Sequence, residues 1–352
     1  MPRSAGKGTS ALVALSGGID SAVAAHTLLI AGRHLEAVYL SFFPEGISSP
    51  GLFCATRVAA QLGIRLHVLD EHVLFERDVV SYFSDSYRRG LTPNPCVICN
   101  ARVKIARSLA LADSLGIDSL ATGHYARTQL ADGGRTALLR ATDETKDQSY
   151  FLHQVPRDAL SRLAFPLGNL TKEEVRKRGE EAGLSGLFQE ESQEICFLKG
   201  DYRTFLEERD TCESRPGEIV DTEGTLLGRH GGLHGYTIGQ RRGLGIADAT
   251  PYYVISLDTG KNRLVVGKQE DLFSRELRVD GLNWIAPSEE AARRTCTVKV
   301  RSRHNGGTAR LEILEDRTVR VLFDAPQRAV TPGQFAVFYQ GDFVLGGGRI
   351  CG

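Results

Sequence analysis

At 352 residues the chain is long enough for two or three domains. Its 41% hydrophobic and 24% charged residues are the composition of an ordinary folded protein and exclude a disordered or collagen-like chain. Lys plus Arg and Asp plus Glu both number 43, so the formal net charge of +0 excludes a global electrostatic pull on nucleic acid and leaves only local basic patches. No run of about 18 apolar residues occurs, so no membrane-spanning helix is expected. The polar first ten residues do not read as a signal peptide, and the cytoplasm is the expected compartment.

Residues 11–15, Ala-Leu-Val-Ala-Leu, read as a fully buried strand. Ser16, Gly17 and Gly18 form a small turn, and from Asp20 and Ser21 an apolar-periodic helix runs to Gly32. A strand, a Gly-rich turn and a helix N-terminus make an anion site, because unpaired backbone N–H groups and the positive end of the helix dipole converge on the turn. It is not a Walker loop, since no Gly-Lys pair in the chain is followed by Ser or Thr. Residues 35–40 read as a second strand, 52–62 as a helix closed by Gly63, and 64–69 as a third strand. That alternation predicts a doubly wound parallel sheet whose ligands sit outside the strand carboxyl ends. Residues 74–88 read as another helix. Residues 90–100, with Pro93 and Pro95, read as a rigid loop, and 101–115 as an amphipathic helix carrying Arg102, Lys104 and Arg107.

Residues 119–122 return as a strand that ends in Gly123 and His124, again at a carboxyl edge. Asp132-Gly133-Gly134 reads as a hairpin turn, and Thr171-Lys-Glu-Glu174 as a capping box opening a helix to about residue 182. From Pro216 onward Gly is dense and helical period fades. Short alternating segments at 296–301, 308–314, 319–323, 334–339 and 343–345 predict a small β-barrel.

The seven cysteines are Cys54, Cys96, Cys99, Cys196, Cys212, Cys296 and Cys351. An odd number in a long chain argues against a disulfide framework and for reactive or metal-binding thiols. Cys96-x-x-Cys99 alone fits half a zinc site, a thioredoxin-like pair, or chance. No second Cys-x-x-Cys completes a four-cysteine zinc site. Cys54, Cys212, Cys296 and Cys351 read as small buried hydrophobes. The window 291–310 carries Arg293, Arg294, Lys299, Arg301, Arg303 and Arg310 with no acid, and Arg241-Arg242 adds a second basic spot. These are a phosphate-contacting surface on one reading and a merely solvated one on the other.

Ser-Gly-Gly-Ile-Asp-Ser at 16–21 resembles the pyrophosphate-binding loop (PP-loop) of ATP pyrophosphatases, which split ATP between the α and β phosphates. Several further motifs follow in order: Thr-Pro-Asn-Pro…Cys-Asn at 92–100, Gly-His-Tyr-Ala-Arg at 123–127, Lys-Asp-Gln at 146–148 and Ser-Gln-Glu-Ile-Cys-Phe at 192–197. Gly-Tyr-Thr-Ile-Gly-Gln-Arg-Arg at 235–242 and Pro-Gly-Gln…Leu-Gly-Gly-Gly from 332 to 348 complete the set. Together they resemble the bacterial tRNA-specific 2-thiouridylase family over nearly the whole chain. The resemblance implies an α/β PP-loop domain at about 1–208, a small central domain at 209–274 and a C-terminal β-barrel at 275–352. It implies replacement of O2 by sulfur in the wobble uridine (position 34) of tRNAs for Lys, Glu and Gln, with a cysteine desulfurase or sulfur-relay protein as donor.

On this resemblance Ala14, Leu15, Ser16, Gly17, Gly18, Ile19, Asp20 and Ser21, with Leu40 and Gly123, would hold ATP, and Asp20 is the expected carboxylate for Mg²⁺. Cys99 matches the nucleophile and Cys196 the persulfide carrier, with a Cys99–Cys196 disulfide as their oxidised product. Arg102 or Lys104 is the expected charge that lowers the thiol pKa. His124, Lys146, Asp147, Gln148, Arg301, Ser302 and Gln334 match tRNA-contacting positions. Read singly, His124 is a strand-end residue and 146–148 a solvated turn.

Many family members carry Asp where this chain has Cys96. Cys96, Cys99 and Cys196 then form a three-thiolate set suited to a [4Fe-4S] cluster, a second mechanism beside the persulfide relay. Two other readings compete. An amide-forming ligase with the same loop would leave Cys99 and Cys196 unexplained, and a non-enzymatic iron–sulfur or RNA-binding module would leave the loop unexplained.

Overall fold

The computed structural model describes residues 10–44, 49–187, 195–198, 200–209, 215–287 and 295–351. Its elements begin with β1 (Ser10–Ala14), α1 (Ile19–Ile30), β2 (His34–Ser41), α2 (Pro50–Leu62) and β3 (Arg65–Asp70). α3 (His72–Phe75) continues through a π-helical stretch, Glu76–Val80, into α4 (Ser81–Arg88). The single helix expected over 74–88 is therefore interrupted by a widened turn, which an apolar period alone does not reveal.

Residues 90–100 depart from expectation in a way that matters for the site. Only the stretch before Pro95 is loop; α5 (Pro95–Ile98) starts there and runs through a second π-helical stretch, Cys99–Ile105, into α6 (Ala106–Leu115). Pro95 occupies the first helical residue, where its fixed φ suits the helix and its missing N–H is one that a first turn leaves unpaired. Proline here starts an element rather than breaking one.

β4 (Ser119–Ala121) is followed by the hairpin β5 (Arg127–Ala131) and β6 (Arg135–Leu139), then α7 (Ser149–Leu152), α8 (Arg157–Leu160) and β7 (Leu163–Ala164). α9 (Lys172–Glu181) has the expected capping box: Thr171 Oγ1 accepts from the Glu174 N–H at 3.2 Å, and the Thr171 N–H donates to Glu174 Oε2 at 2.7 Å. α10 (Tyr202–Glu208), β8 (Gly217–Val220), β9 (Leu226–His230), β10 (Tyr253–Asp258) and β11 (Arg263–Gly267) come next. The chain closes with β12 (Phe273–Trp284), β13 (Cys296–Lys299), β14 (Gly307–Ile313), β15 (Val319–Arg328), β16 (Phe335–Gln340) and β17 (Phe343–Ile350).

The chain forms two compact units. One comprises Met1–Asp78, Cys96–Gln193 and Asp342–Val344; the other comprises Val79–Pro95, Glu194–Gly341 and Leu345–Gly352.

The first unit is built on a parallel sheet of order β3-β2-β1-β4-β7. Its central strand β1 is apolar on both faces because both are covered: Leu12 is fully buried on one, and on the other Ala11 and Val13 share a core cluster with Ala22, Val23, Ala24, Ala25, Ala55, Val58 and Leu184. The small side chains on α1 let the helix lie close to the sheet. From β1 the chain builds outward through β2 and β3, then returns to the other side of β1 with β4. That reversal is a topological switch point, and the crevice outside the β1 and β4 carboxyl ends is where such sheets bind ligands.

The second unit holds two β structures. A four-stranded sheet of order β10-β11-β8-β9 packs Ile219, Val254, Leu264 and Val266. Strands β12-β15-β14-β13-β16-β17 form the other, and pairing of β12 with β17 closes it into an antiparallel barrel around Val279, Val298, Leu311, Val321 and Phe338. The 12-residue β12 serves both neighbours by bending, with register shifts between Ser274 and Glu276 and between Asp280 and Asn283.

Candidate active site

Residues 15–18 leave the β1 carboxyl end and Ile19 opens α1, so the anion loop lies at the switch point. Ala14 pairs with Val38, the Leu15 N–H donates to Val38 O at 2.9 Å, and Leu40 sits in register with Leu69 near the end of β2. Ser21 ties the turn to the helix. Its hydroxyl donates to Gly18 O at 2.9 Å, accepts from the Ser16 N–H at 3.1 Å, and lies 3.2 Å from Ser16 Oγ. Gly17 has φ +82, and a Cβ there would sit 2.4 Å from the Gly51 carbonyl oxygen in the first turn of α2. Gly123 backs the loop from β4: a Cβ on it would lie 2.7 Å from Ser21 N and 2.8 Å from Asp20 C. Its glycine identity thus comes from packing under the α1 N-terminus, a reason distinct from any direct contact with nucleotide.

Asp20 is gripped from two directions. The Tyr125 hydroxyl donates to Asp20 Oδ1 at 2.8 Å, and Lys172 Nζ, at the start of α9, lies 2.6 Å from the same oxygen. Tyr125 and Lys172 are both buried, and the ammonium also lies 5.8 Å from the Tyr125 ring centroid. The sequence does not mark Lys172 as a site residue, because its motif announces only a helix cap. Asp143, which accepts from the Lys172 backbone N–H at 3.0 Å, fixes the start of that helix. Hydrogen bonds from Thr145, Lys172 and Lys146 hold the Asp143 carboxyl below the usual range, the Thr145 hydroxyl contributing most.

His124 follows Gly123. Burial, with the nearby Lys104 ammonium, pushes its imidazole down to about 3, so it is neutral at physiological pH, and its Nδ1 shares a 2.9 Å hydrogen bond with Thr122 Oγ1. Any role at an RNA surface is therefore one of hydrogen bonding or stacking, not of charge. Gln148 belongs to the same neighbourhood: its Oε1 accepts from the Tyr125 N–H at 2.9 Å and its backbone N–H donates to Tyr125 O at 2.8 Å. Asp147 is occupied by its own loop, with Oδ1 accepting from the Ala141 and Ser149 N–H groups and Oδ2 from the Ser149 hydroxyl. Asp147 and Gln148 thus brace the loop that carries Lys146.

Cys96 and Cys99 lie three residues apart on one continuous helical run, Cys96 in α5 and Cys99 as the first residue of the π-helical stretch. Cys99 is only 4% exposed. Burial pushes the Cys96 thiol up, with Lys104 opposing. Of the two charges expected to act on the thiols, Lys104 is the one that bears on Cys96, whereas Arg102 bears on Asp78. Asn100 fastens the run to α7 by donating to Phe151 O at 3.3 Å.

In the second unit, Cys196 is exposed. Its neighbours Ile195 and Phe197 pack into an aromatic cluster between α4 and α10, where Phe197 meets Phe83 at 5.3 Å and Phe205 at 5.4 Å between ring centroids. The flanking residues anchor the turn and leave the thiol outside. Ser192, Gln193 and Glu194 of that motif, Cys212, and Arg293 and Arg294 of the basic window lie outside the described residues. Arg301 donates to Arg328 O at 3.2 Å; Arg301 and Ser302 are partly exposed, and Arg303 and Arg310 are exposed. Gln334 supports the backbone nearby. Its Nε2 donates to Thr92 O and Pro93 O at 3.0 and 3.2 Å, while the Thr92 N–H donates to Pro332 O at 2.9 Å. These bonds hold the short loop that leads into α5.

Among the described residues no three His, Cys, Asp or Glu side chains gather as a metal site. Cys96 and Cys99 belong to the first unit and Cys196 to the second. Cys96→Ala is expected to leave thiolation within a few-fold of the parent, with no stoichiometric iron or labile sulfide in anaerobically purified protein. Loss of activity together with loss of bound iron would contradict this. Mg²⁺ is a different case, since an ion carried on ATP phosphates takes one or two carboxylates from the protein, and Asp20 stands at the loop to supply one.

A PP-loop at the switch point of a parallel sheet, continued into a β sheet and a closed barrel, defines a nucleotide-binding α/β protein with two appended β domains. Family models agree along the chain: "tRNA methyl transferase HUP domain" matches residues 9–200, "tRNA methyl transferase PRC-barrel domain" 203–268, and "Aminomethyltransferase beta-barrel domain" 274–350. The chain is 44% identical over 342 residues to the tRNA-specific 2-thiouridylase MnmA of Trichlorobacter lovleyi, covering 96% of each chain. It is 44% identical over 351 residues to that of Moorella thermoacetica, covering 96% of this chain and 98% of that one. It belongs to the tRNA-specific 2-thiouridylase family. Among the described residues no helix is long and apolar enough to cross a membrane.

Proposed function

We propose that this protein is a tRNA 2-thiouridine synthase that uses ATP to replace O2 of wobble uridine 34 by sulfur in tRNAs for Lys, Glu and Gln. The observation that supports this most directly is the 16–21 loop at the switch point, braced by Gly123 and, through Asp20, by Tyr125, in a chain 44% identical to a tRNA-specific 2-thiouridylase. The C2 carbonyl of uracil is unreactive and its oxygen a poor leaving group. Attack of O2 on the α-phosphorus of ATP forms the O2-adenylate and expels pyrophosphate, which the loop N–H groups and the α1 dipole stabilise. Asp20 is the carboxylate that would hold Mg²⁺, which would supply neutralisation of the phosphate charge.

Sulfur arrives as a persulfide on Cys196, loaded by a cysteine desulfurase or relay protein. The terminal sulfur attacks C2 and AMP leaves. The Cys99 thiolate then attacks Cys196 Sγ, breaking the S–S bond to release 2-thiouridine and forming a Cys99–Cys196 disulfide. A thiol reductant reopens it, which suits the reducing cytoplasm. The exposed Cys196 suits loading by a partner protein. His124, Lys146, Asp147, Gln148, Arg301, Ser302 and Gln334 remain the tRNA-facing set. The uridine leaves the anticodon stack to reach the site.

Pyrophosphate release separates this reading from its rivals. The protein is expected to convert ATP to AMP and pyrophosphate only when unmodified tRNA is present. Release that depends on a small carboxylic acid instead of tRNA would mark an amide-forming ligase, and no release at all would mark a binding module. Affinity for tRNA is expected to fall steeply with salt. Arg301→Ala should weaken it and flatten the log–log salt slope by about 1, the signature of one lost phosphate contact; an unchanged slope would remove Arg301 from the interface.

A further inference from the structure

Lys172 is a buried cation, 6% exposed, at the rim of an anion loop. Two anchors fix its place in the first turn of α9: the Thr171–Glu174 capping box and the Asp143 carboxylate on its backbone N–H. From there Nζ reaches inward to Asp20 Oδ1 at 2.6 Å, across 152 residues of sequence. Burying an ion pair costs desolvation that its own attraction barely offsets, so such a pair is weak grounds for a stability role. This one involves the carboxylate next to the helix N-terminus that faces the phosphates.

We infer that Lys172 is a phosphate-binding cation of the nucleotide site, shared between Asp20 and the β and γ phosphates of ATP. The inference rests on the reading of loop 16–21 as the ATP site. Ser21 ties the loop's own hydroxyls and turn to one another, so the loop contributes N–H groups and a dipole but no formal positive charge. A triphosphate brings several negative charges beside Asp20, more than one Mg²⁺ carried on ATP would neutralise, and Lys172 places a further positive charge there. An ammonium with three donors holds a carboxylate and a phosphate oxygen together. The Tyr125 hydroxyl keeps Asp20 in place when Lys172 turns.

The test is calorimetric titration of the full chain with ATP, pyrophosphate and AMP. Lys172→Met is expected to weaken ATP and pyrophosphate roughly 10- to 100-fold while AMP changes less than about 2-fold. Lys172→Arg should keep most of the ATP preference. Because Lys172→Met strands the Asp20 carboxylate, Asp20→Asn is also compared with Asp20→Asn/Lys172→Met, so that the carboxylate is absent from both. A lysine that touches phosphate lowers ATP affinity a further 10- to 100-fold in the double variant. A lysine that only neutralises Asp20 leaves the two variants equal, and that result overturns the inference. If the parent protein binds AMP and ATP alike, or neither, the assignment of the loop itself fails, which the parent titration shows before any variant is made.

Discussion

Cys99→Ser is expected to reduce 2-thiouridine formation by on the order of 10³-fold or more while ATP affinity stays within about 2-fold. A serine hydroxyl is nearly isosteric with the thiol but is not ionised near neutral pH and does not cleave a persulfide S–S bond. The residue is buried in a helical run fastened by Asn100, so the substitution should leave the fold intact. Cys196→Ser should abolish thiolation equally, with one difference: it loses the persulfide label from the donor, whereas Cys99→Ser retains it. Mass spectrometry of the desulfurase-treated proteins reads this directly. A Cys99→Ser protein with parental thiolation would remove Cys99 from the mechanism and return the amide-forming ligase to contention.

Gly17→Ala and Gly123→Ala should each weaken ATP by roughly 100-fold or more, with most of the fold retained. At Gly17 a methyl group meets the Gly51 carbonyl at 2.4 Å and the backbone sits at φ +82, a region that costs an L-residue about 1–2 kcal/mol before any clash. At Gly123 the methyl drives into the backbone of Asp20 and Ser21, and backbone cannot rotate aside as a side chain would. Either change displaces the N–H groups proposed to bind the phosphates. Gly133→Ala is the control. It has φ +77 but open space around it, in a hairpin turn, and should lower stability by about 1 kcal/mol without altering ATP affinity. Calorimetry for nucleotide and chemical denaturation for stability separate the two effects. Equal ATP affinity in Gly123→Ala and the parent would contradict the proposed role of the switch-point crevice.

The loop at 16–21 is legible in the sequence because its chemistry is local. A buried strand, two glycines and a helix start are adjacent, and the parallel sheet around them follows from strand–helix alternation. The Thr171–Glu174 cap is legible for the same reason. Lys172 is not, since its partner is 152 residues away and nothing in a capping box tells which way its first helical side chain turns. Pro95 reads as part of a loop because prolines bound loops as often as they open helices, and only the following turn decides. Asp147 and Gln334 look like free polar contacts, yet both spend hydrogen bonds on backbone: Asp147 on its own loop, Gln334 on Thr92 and Pro93. The barrel strands alternate cleanly enough to be found singly, but the closure by β12 rests on two register shifts that no periodicity shows.

In the proposed mechanism, ATP activation and sulfur transfer meet on one uridine. The most direct test is an anaerobic reaction of the protein with unmodified tRNA for Glu, ATP, a cysteine desulfurase and cysteine, with nucleosides read by mass spectrometry and nucleotides by chromatography. The expected result is 2-thiouridine at position 34, with one AMP and one pyrophosphate formed per sulfur inserted. AMP and pyrophosphate without 2-thiouridine, or 2-thiouridine formed without ATP, would contradict it.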